Sequence, residues 1–251
     1  GRGVVSAHRA HGRVRLQHQF QEGSARIRLP RGVDPNSLEA VLVNTSGGLT
    51  GGDRLHWQAQ VGEAAAMILT TAAYEKIYHS TRDVARVDVE LRVRSGGRMA
   101  WLPQETLFYD GGALRRRLEA DLSADASLLL VEAMLLGRTA RGENVTRGLL
   151  RDSWRIRREG ALVHAEEVAL SGNAAGAIAS AAGLGGHVAW ATIVLIDDAA
   201  QSMLQPVRHL LGRELQAPFG ASGVSAWQMA AGGKLLARIV ARDGYILRRA
   251  V

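Results

Sequence analysis

Alternate positions are apolar along three stretches of the chain: Leu55, Trp57, Ala59 and Val61; then Val87, Val89, Leu91 and Val93; then Leu114, Leu118, Ala120 and Leu122. A period of two predicts a strand with one buried and one solvated face. Each stretch meets a small turn, Gly62-Glu63, Ser95-Gly96-Gly97 or Ala124-Asp125. A second apolar run of strand length follows, at Met67–Tyr78, Met99–Asp110 and Ser127–Leu136, and each carries one glutamate. The three are Glu75, Glu105 and Glu132, spaced by 30 and 27 residues. Two strands and a turn cannot bury an apolar face alone, so a repeat of this kind predicts stacking of successive units. The fold expected is mainly β, a right-handed β-helix or solenoid-like stack with about two short α-helices, in which residues 51–143 form three coils. A plain antiparallel meander is the alternative.

The flanking segments predict further strands at Val14–Phe20, Ala25–Leu29 and Leu38–Val43. Residues 1–12 are rich in Gly, Arg and Ala and are expected to form a mobile terminus, since the spacing of His8 and His11 would bring the two imidazoles together for a metal only if a helix formed there. Leu149–Arg158 and Ala161–Leu170, joined by Glu159-Gly160, predict a hairpin. A short helix over Ala174–Ala182, a buried strand over His187–Ile196 and a helix from about Ala199 to Leu215 follow, with Pro206 near the start of that helix. Leu235–Val240 and Tyr245–Leu247 are expected to close the chain as strands around Asp243-Gly244, so 187–251 forms C-terminal strands and a helix. No linker divides the sequence, and 1–251 is expected to be one domain.

Composition narrows the chemistry. The chain has no cysteine, which excludes disulfides, thiolate metal sites and cysteine nucleophiles. A net charge of +7 comes almost wholly from arginine, since Lys76 and Lys234 are the only lysines. Aromatics are too scattered to stack bases, so no nucleic-acid partner is expected. No run of about 20 apolar residues suggests a membrane span or a secretory leader, and a cytoplasmic location is expected. The glycine cluster Asn44 to Asp53 lacks the Lys-Ser or Lys-Thr of a phosphate loop and leads into a strand, so it is expected to be a tight turn. No arrangement pairing a nucleophile with a histidine is visible.

The glutamates are the unusual feature. Strand parity sets Glu75 with Leu69, Ala73 and Ile77, Glu105 with Trp101, Pro103 and Leu107, and Glu132 with Leu128, Leu130 and Met134. A carboxylate on an apolar face costs several kcal/mol unless paired, hydrogen-bonded or protonated. On stacked coils the three are expected to form an acidic ladder with rungs about 4.8 Å apart. Such a ladder has three outlets: raised pKa values, pairing with Lys76, Arg138 or another arginine, or transient occupation by a cation. The bland alternative is three structural acids bonded to neighbouring backbone. The run Arg115-Arg116-Arg117 places Arg115 and Arg117 opposite Leu114, Leu118 and Arg116, either as an ordinary solvated face or as a docking surface.

Several motifs in one order carry a family resemblance: Asn44 through Asp53, Leu69-Thr70-Thr71 with Glu75-Lys76-Ile77-Tyr78, Trp101-Leu102-Pro103-Gln104-Glu105, Leu114 to Leu118, Glu132 to Arg138, Gly142-Glu143 and Trp154 to Arg158. The sequence resembles urease accessory proteins of the UreD type, also called UreH, from about Val14 to Arg249. The resemblance implies a non-enzymatic maturation chaperone of β-helical fold. It also implies a scaffold joining the accessory proteins UreF and UreG to the urease apoprotein and helping nickel reach the urease active site. No cofactor is expected to be tightly bound, with nickel only in transit. Strand parity and motif position together nominate Glu75, Glu105 and Glu132 as the nickel route. Asp53, Thr70, Thr71 and Glu143 are nominated as tunnel-lining residues, and Lys76 and Arg138 as counter-charges. A β-solenoid carbohydrate-active enzyme using paired carboxylates is the competing reading.

Overall fold

The computed structural model describes residues 1–30, 34–138, 141–230 and 232–251. Residues 139 and 140, inside the span expected to form the three repeats, lie outside the described residues. The chain opens with β1 (Arg2–Ala10), β2 (Arg13–Glu22), β3 (Ala25–Arg28) and β4 (Leu38–Asn44). The repeats follow: β5 (Arg54–Val61), β6 (Ala66–Thr71) and β7 (Glu75–Ile77); β8 (Ala85–Val93), β9 (Arg98–Leu102) and β10 (Thr106–Phe108); β11 (Ala113–Leu122) and β12 (Ser127–Leu136). The hairpin β13 (Arg147–Arg158) and β14 (Ala161–Asn173) leads to α1 (Ala174–Ala179) and β15 (Ala189–Ile196). Then come α2 (Leu204–Glu214), β16 (Gly220–Met229), β17 (Gly232–Ala241) and α3 (Gly244–Ala250).

These strands build a β-solenoid of about four turns, one more than the three coils expected from the repeat. One sheet has the order β14-β13-β11-β8-β5-β1-β2 and the other β16-β17-β15-β12-β9-β6-β4-β3. Neighbouring coils pair in parallel, so equivalent side chains stack: Trp57, Val89, Leu118 and Trp154 from the first sheet, and Leu69, Trp101 and Leu130 from the second. All seven are buried. Burying each such side chain contributes roughly 1.5–3 kcal/mol, which is why the alternation in the sequence is enough to set register.

The amino terminus departs from expectation. Instead of a mobile lead-in, β1 lies inside the first sheet, antiparallel to β2 and parallel to β5. Val5 and Ala7 point into the core, and Gly3 lies so close to Trp57 that a Cβ would fall 2.2 Å from its ring. A glycine that looks like flexibility is there to admit an indole. His8 belongs to the strand and His11 to the turn after it, at a φ of 49°, so the two do not share a helical face.

The carboxyl end also differs. Tyr245–Leu247, expected as strand, lies in α3, because the Asp243 carboxylate accepts a hydrogen bond from Ile246 N at 2.9 Å and caps a helix start. Asp-Gly served as an N-cap and not as a hairpin turn. The helix expected from Ala199 begins at Leu204, with Pro206 in its first turn, and α1 stops at Ala179. Strand β16 was not anticipated, since its pattern Gly-Ala-Ser-Gly-Val-Ser-Ala lacks an apolar period. A second apolar cluster, including Leu211, Leu215, Leu235, Ile239 and Leu247, packs the helices on the outside of the second sheet.

Candidate functional site

The second-sheet strands of the first two repeats break in the middle and that of the third does not: β6 and β7 are separated, as are β9 and β10, but β12 runs through. Pro103 supplies no N–H and sits in one of these breaks. Between the paired positions Thr70/Leu102 and Glu75/Thr106 the first coil carries four residues and the second three, and that difference moves the glutamates out of step. Glu75 pairs with Thr106, and Thr106 with Met134, giving offsets of 31 and 28 residues where the glutamate spacing is 30 and 27. The acids therefore do not form the stacked ladder predicted from their spacing. Each occupies a separate environment along one seam.

Glu132 is the most enclosed, at 4% exposure. Its carboxylate accepts a hydrogen bond from Trp101 Nε1 at 2.9 Å and an ion-paired hydrogen bond from Arg116. The same guanidinium holds Asp152 through Nε at 2.9 Å and through a second, shorter contact, and Trp154 Nε1 donates to Asp152 at 2.8 Å. Burial pushes the Glu132 carboxyl above its usual range, and the opposing field of Arg116 only partly offsets it. Burial would lower the Arg116 pKa, but the fields of Asp152 and Glu132 reverse that and raise it. This Asp–Arg–Glu triad inside the stack, with its two indole donors, was not foreseen. The signal lay in parity: Arg116 alone of the three arginines falls on the inner face.

Glu75 stands at the edge of the same space, half-buried. Among the described residues its only side-chain partner is the Asn44 amide, at 3.1 and 3.2 Å from the two carboxylate oxygens. Burial raises its pKa to about 7, against the lowering effect of Asn44, with Asp53 adding a small repulsion. A cavity of about 50 Å³ between the sheets is lined by Glu75, Glu132, Arg116, Thr71, Trp57 and Trp101, among others. An outer pocket of about 100 Å³ shares Glu75, Thr71 and Trp57 and reaches Asn44, Gly48 and Tyr74. Glu75 and Thr71 thus border both the interior space and the surface pocket.

Glu105 takes no part in lining either cavity. It is tied to α3 through Arg248, with Nε at 3.0 Å from one oxygen and a shorter contact to the other, while Gln104 accepts from the same guanidinium at 2.6 Å. Its backbone carbonyl accepts from Glu75 N at 3.2 Å, the one direct link between two of the three acids. Of the other nominated residues, Thr71 lines the cavity and its hydroxyl accepts from Gln104 N at 2.9 Å. Thr70, one position along β6, falls on the opposite face from Leu69. Asp53 caps its own turn by accepting from Thr50 N at 2.8 Å. Glu143 is bound by Arg138, Nε to Oε2 at 2.5 Å, which lowers its pKa. Arg138 is therefore a counter-charge to Glu143 and not to the three acids. Lys76 makes no ion pair among the described residues; its backbone N–H and, more weakly, its charge both lower the Glu75 pKa.

Among the described residues no three His, Cys, Asp or Glu side chains converge as a metal centre. Glu132 and Asp152 share one buried arginine and are each 4% exposed, out of reach of a sugar chain. What the arrangement can do is hold a proton, or exchange it for a cation, at one carboxylate beside a small polar space. Among the described residues no helix is long and apolar enough to cross a membrane.

Comparison with known proteins gives one consistent result. The family model for UreD urease accessory protein matches residues 1–251. A urease accessory protein UreD from Mesorhizobium japonicum is 47% identical over 240 residues, covering 96% of this chain and 83% of the relative. One from Rhizobium leguminosarum bv. trifolii is 47% identical over 249 residues, with 99% and 87% covered, and one from Agrobacterium fabrum is 45% identical, with 99% and 84% covered.

Proposed function

Because the chain belongs to the UreD family of urease accessory proteins, and so serves urease maturation, we propose that it acts as a non-catalytic scaffold for nickel insertion. In this reading it joins UreF and UreG to the urease apoprotein in the cytoplasm. Nickel, the cargo, passes along the polar seam between the sheets. The observation that carries the passage is Glu75, a carboxyl with a pKa near neutrality that borders both the inner cavity and the outer pocket. A group half-protonated near pH 7 exchanges its proton for a cation at little cost, and a site with a single free carboxylate releases that cation as readily as it takes it. Glu132, bound by Arg116, supplies a fixed negative potential further in without competing for the ion as a strong ligand.

The test is urease activation with the full set of accessory proteins. Glu75→Gln is expected to lower the nickel content of the purified urease several-fold while UreF, UreG and the apoprotein still co-purify with the chain. Normal nickel content in Glu75→Gln and Glu132→Gln would end the passage reading and leave the scaffold. Loss of co-purification in the wild type would end the scaffold.

A further inference from the structure

The outer face of the first sheet carries a row that neither the fold nor the seam uses. Arg54 pairs with Arg86, Arg86 with Arg115 and Arg115 with Arg151, so four arginines stand in register on four adjacent parallel strands, β5, β8, β11 and β13. All four are exposed. At about 4.8 Å per strand the row is about 14 Å long. Like charges directly opposite one another destabilise a sheet. Other outward arginines of this face avoid the penalty by pairing with acids: Arg117 with Glu119, Arg92 with Glu90 and Arg155 with Glu167. None of the four in the row has an ion pair among the described residues. Beside them lies an open cleft of about 360 Å³ whose lining includes Arg86, Arg115, Arg117, Arg151, Asp88 and Glu167.

We propose that this arginine row is the docking site for an acidic segment of a partner protein. Guanidinium groups match carboxylates in a planar, two-point geometry, and four in line suit an acidic stretch of about five residues if extended or about ten if helical. The row is also narrow. Two residues further along the strands the face turns mixed, with Asp88 and then Glu90 and Glu119, so the phosphate backbone of a nucleic acid crossing the row would run over fixed negative charge. A short peptide laid along the row meets the four cations, with Asp88 and Glu167 only at the margin of the cleft. The repulsion within the row is then relieved by the partner and not by the chain itself.

The probe is a fluorescein-labelled decaglutamate peptide, titrated by anisotropy at low and physiological salt, with a ten-nucleotide oligothymidylate as the rival. The wild type is expected to bind the peptide more tightly than the oligonucleotide. The variant Arg86→Gln/Arg115→Gln/Arg151→Gln is expected to lose peptide affinity tenfold or more. Its charge-matched control, Arg92→Gln/Arg94→Gln/Arg157→Gln, whose residues lie outside that cleft, is expected to lose less than twofold. Equal losses in the two variants, no peptide binding by the wild type, or preference for the oligonucleotide would each overturn the proposal. Thermal melting gives an independent readout that also verifies folding: the row variant is expected to melt at or above the wild-type temperature, and a clear drop would contradict an unrelieved repulsion.

Discussion

Glu132 and Glu75 sit on the same seam, face the same cavity and are both pushed upward in pKa by burial, yet the protein handles them in opposite ways. Glu132 is given a permanent cation, two buried ring N–H donors share the triad, and the charge is sealed inside the stack. Glu75 is given a neutral amide and an opening to a surface pocket. Burial raises both; at Glu132 the field of a bonded arginine opposes it, and at Glu75 only the Asn44 amide and the Lys76 backbone N–H do so to any extent. The difference is the number of charged partners, not the depth alone, and it separates an architectural acid from a reactive one.

The largest effect that tests this contrast is at Arg116. Arg116→Met leaves Glu132 and Asp152 facing each other in a closed interior, which should cost about 3–5 kcal/mol in urea unfolding. Because two stranded carboxylates relieve the strain by taking up protons, the loss should shrink at acid pH. Adding Glu132→Gln and Asp152→Asn to the same chain should recover most of it. A single Arg116→Met variant as stable as wild type at pH 8 would show that the triad is not the electrostatic lock described.

Glu75→Gln tests the other side. The folded chain holds a proton on Glu75 up to about pH 7, whereas the unfolded chain releases it near 4.5. Between those values the folded state binds more protons, so wild-type stability should fall as pH rises through this window and level off above it. The amide variant should lack that component and be more stable than wild type well above pH 7 by about 3 kcal/mol. Parallel pH profiles for the two proteins would mean Glu75 titrates normally.

Much of this was legible in the sequence and some was not, for physical reasons. Leu55 to Val61 and its two repeats announced a stacked fold because a side-chain period of two survives any loop length between strands. The relative height of the glutamates did not survive. One extra residue between paired positions in the first coil moved Glu75 opposite Thr106, and only backbone pairing reveals that. Arg116 was legible by parity but hidden inside a run of three arginines that looks like a solvated face. The capping role of Asp243 was obscured because Asp-Gly begins a helix and makes a hairpin turn equally well. Nor could spacing within a single repeat show that Arg54, Arg86, Arg115 and Arg151 share one row.

Glu105 falls between the two extremes and gives the smallest effect. Its carboxylate is buried, but its cation, Arg248, is nearly half exposed and reaches it from α3 while also lying 5.1 Å from the Tyr74 ring centre. Solvent screens such a pair, so Glu105→Gln should cost about 1 kcal/mol or less in global stability. The local consequence is more telling, because the pair pins a seven-residue helix whose own propensity cannot hold it. Amide hydrogen exchange across α3 should therefore accelerate several-fold in this variant, while exchange in β12, which carries Glu132, stays unchanged. If β12 accelerates as well, Glu105 belongs to the interior lock with Glu132, and the separation of the seam into independent environments fails.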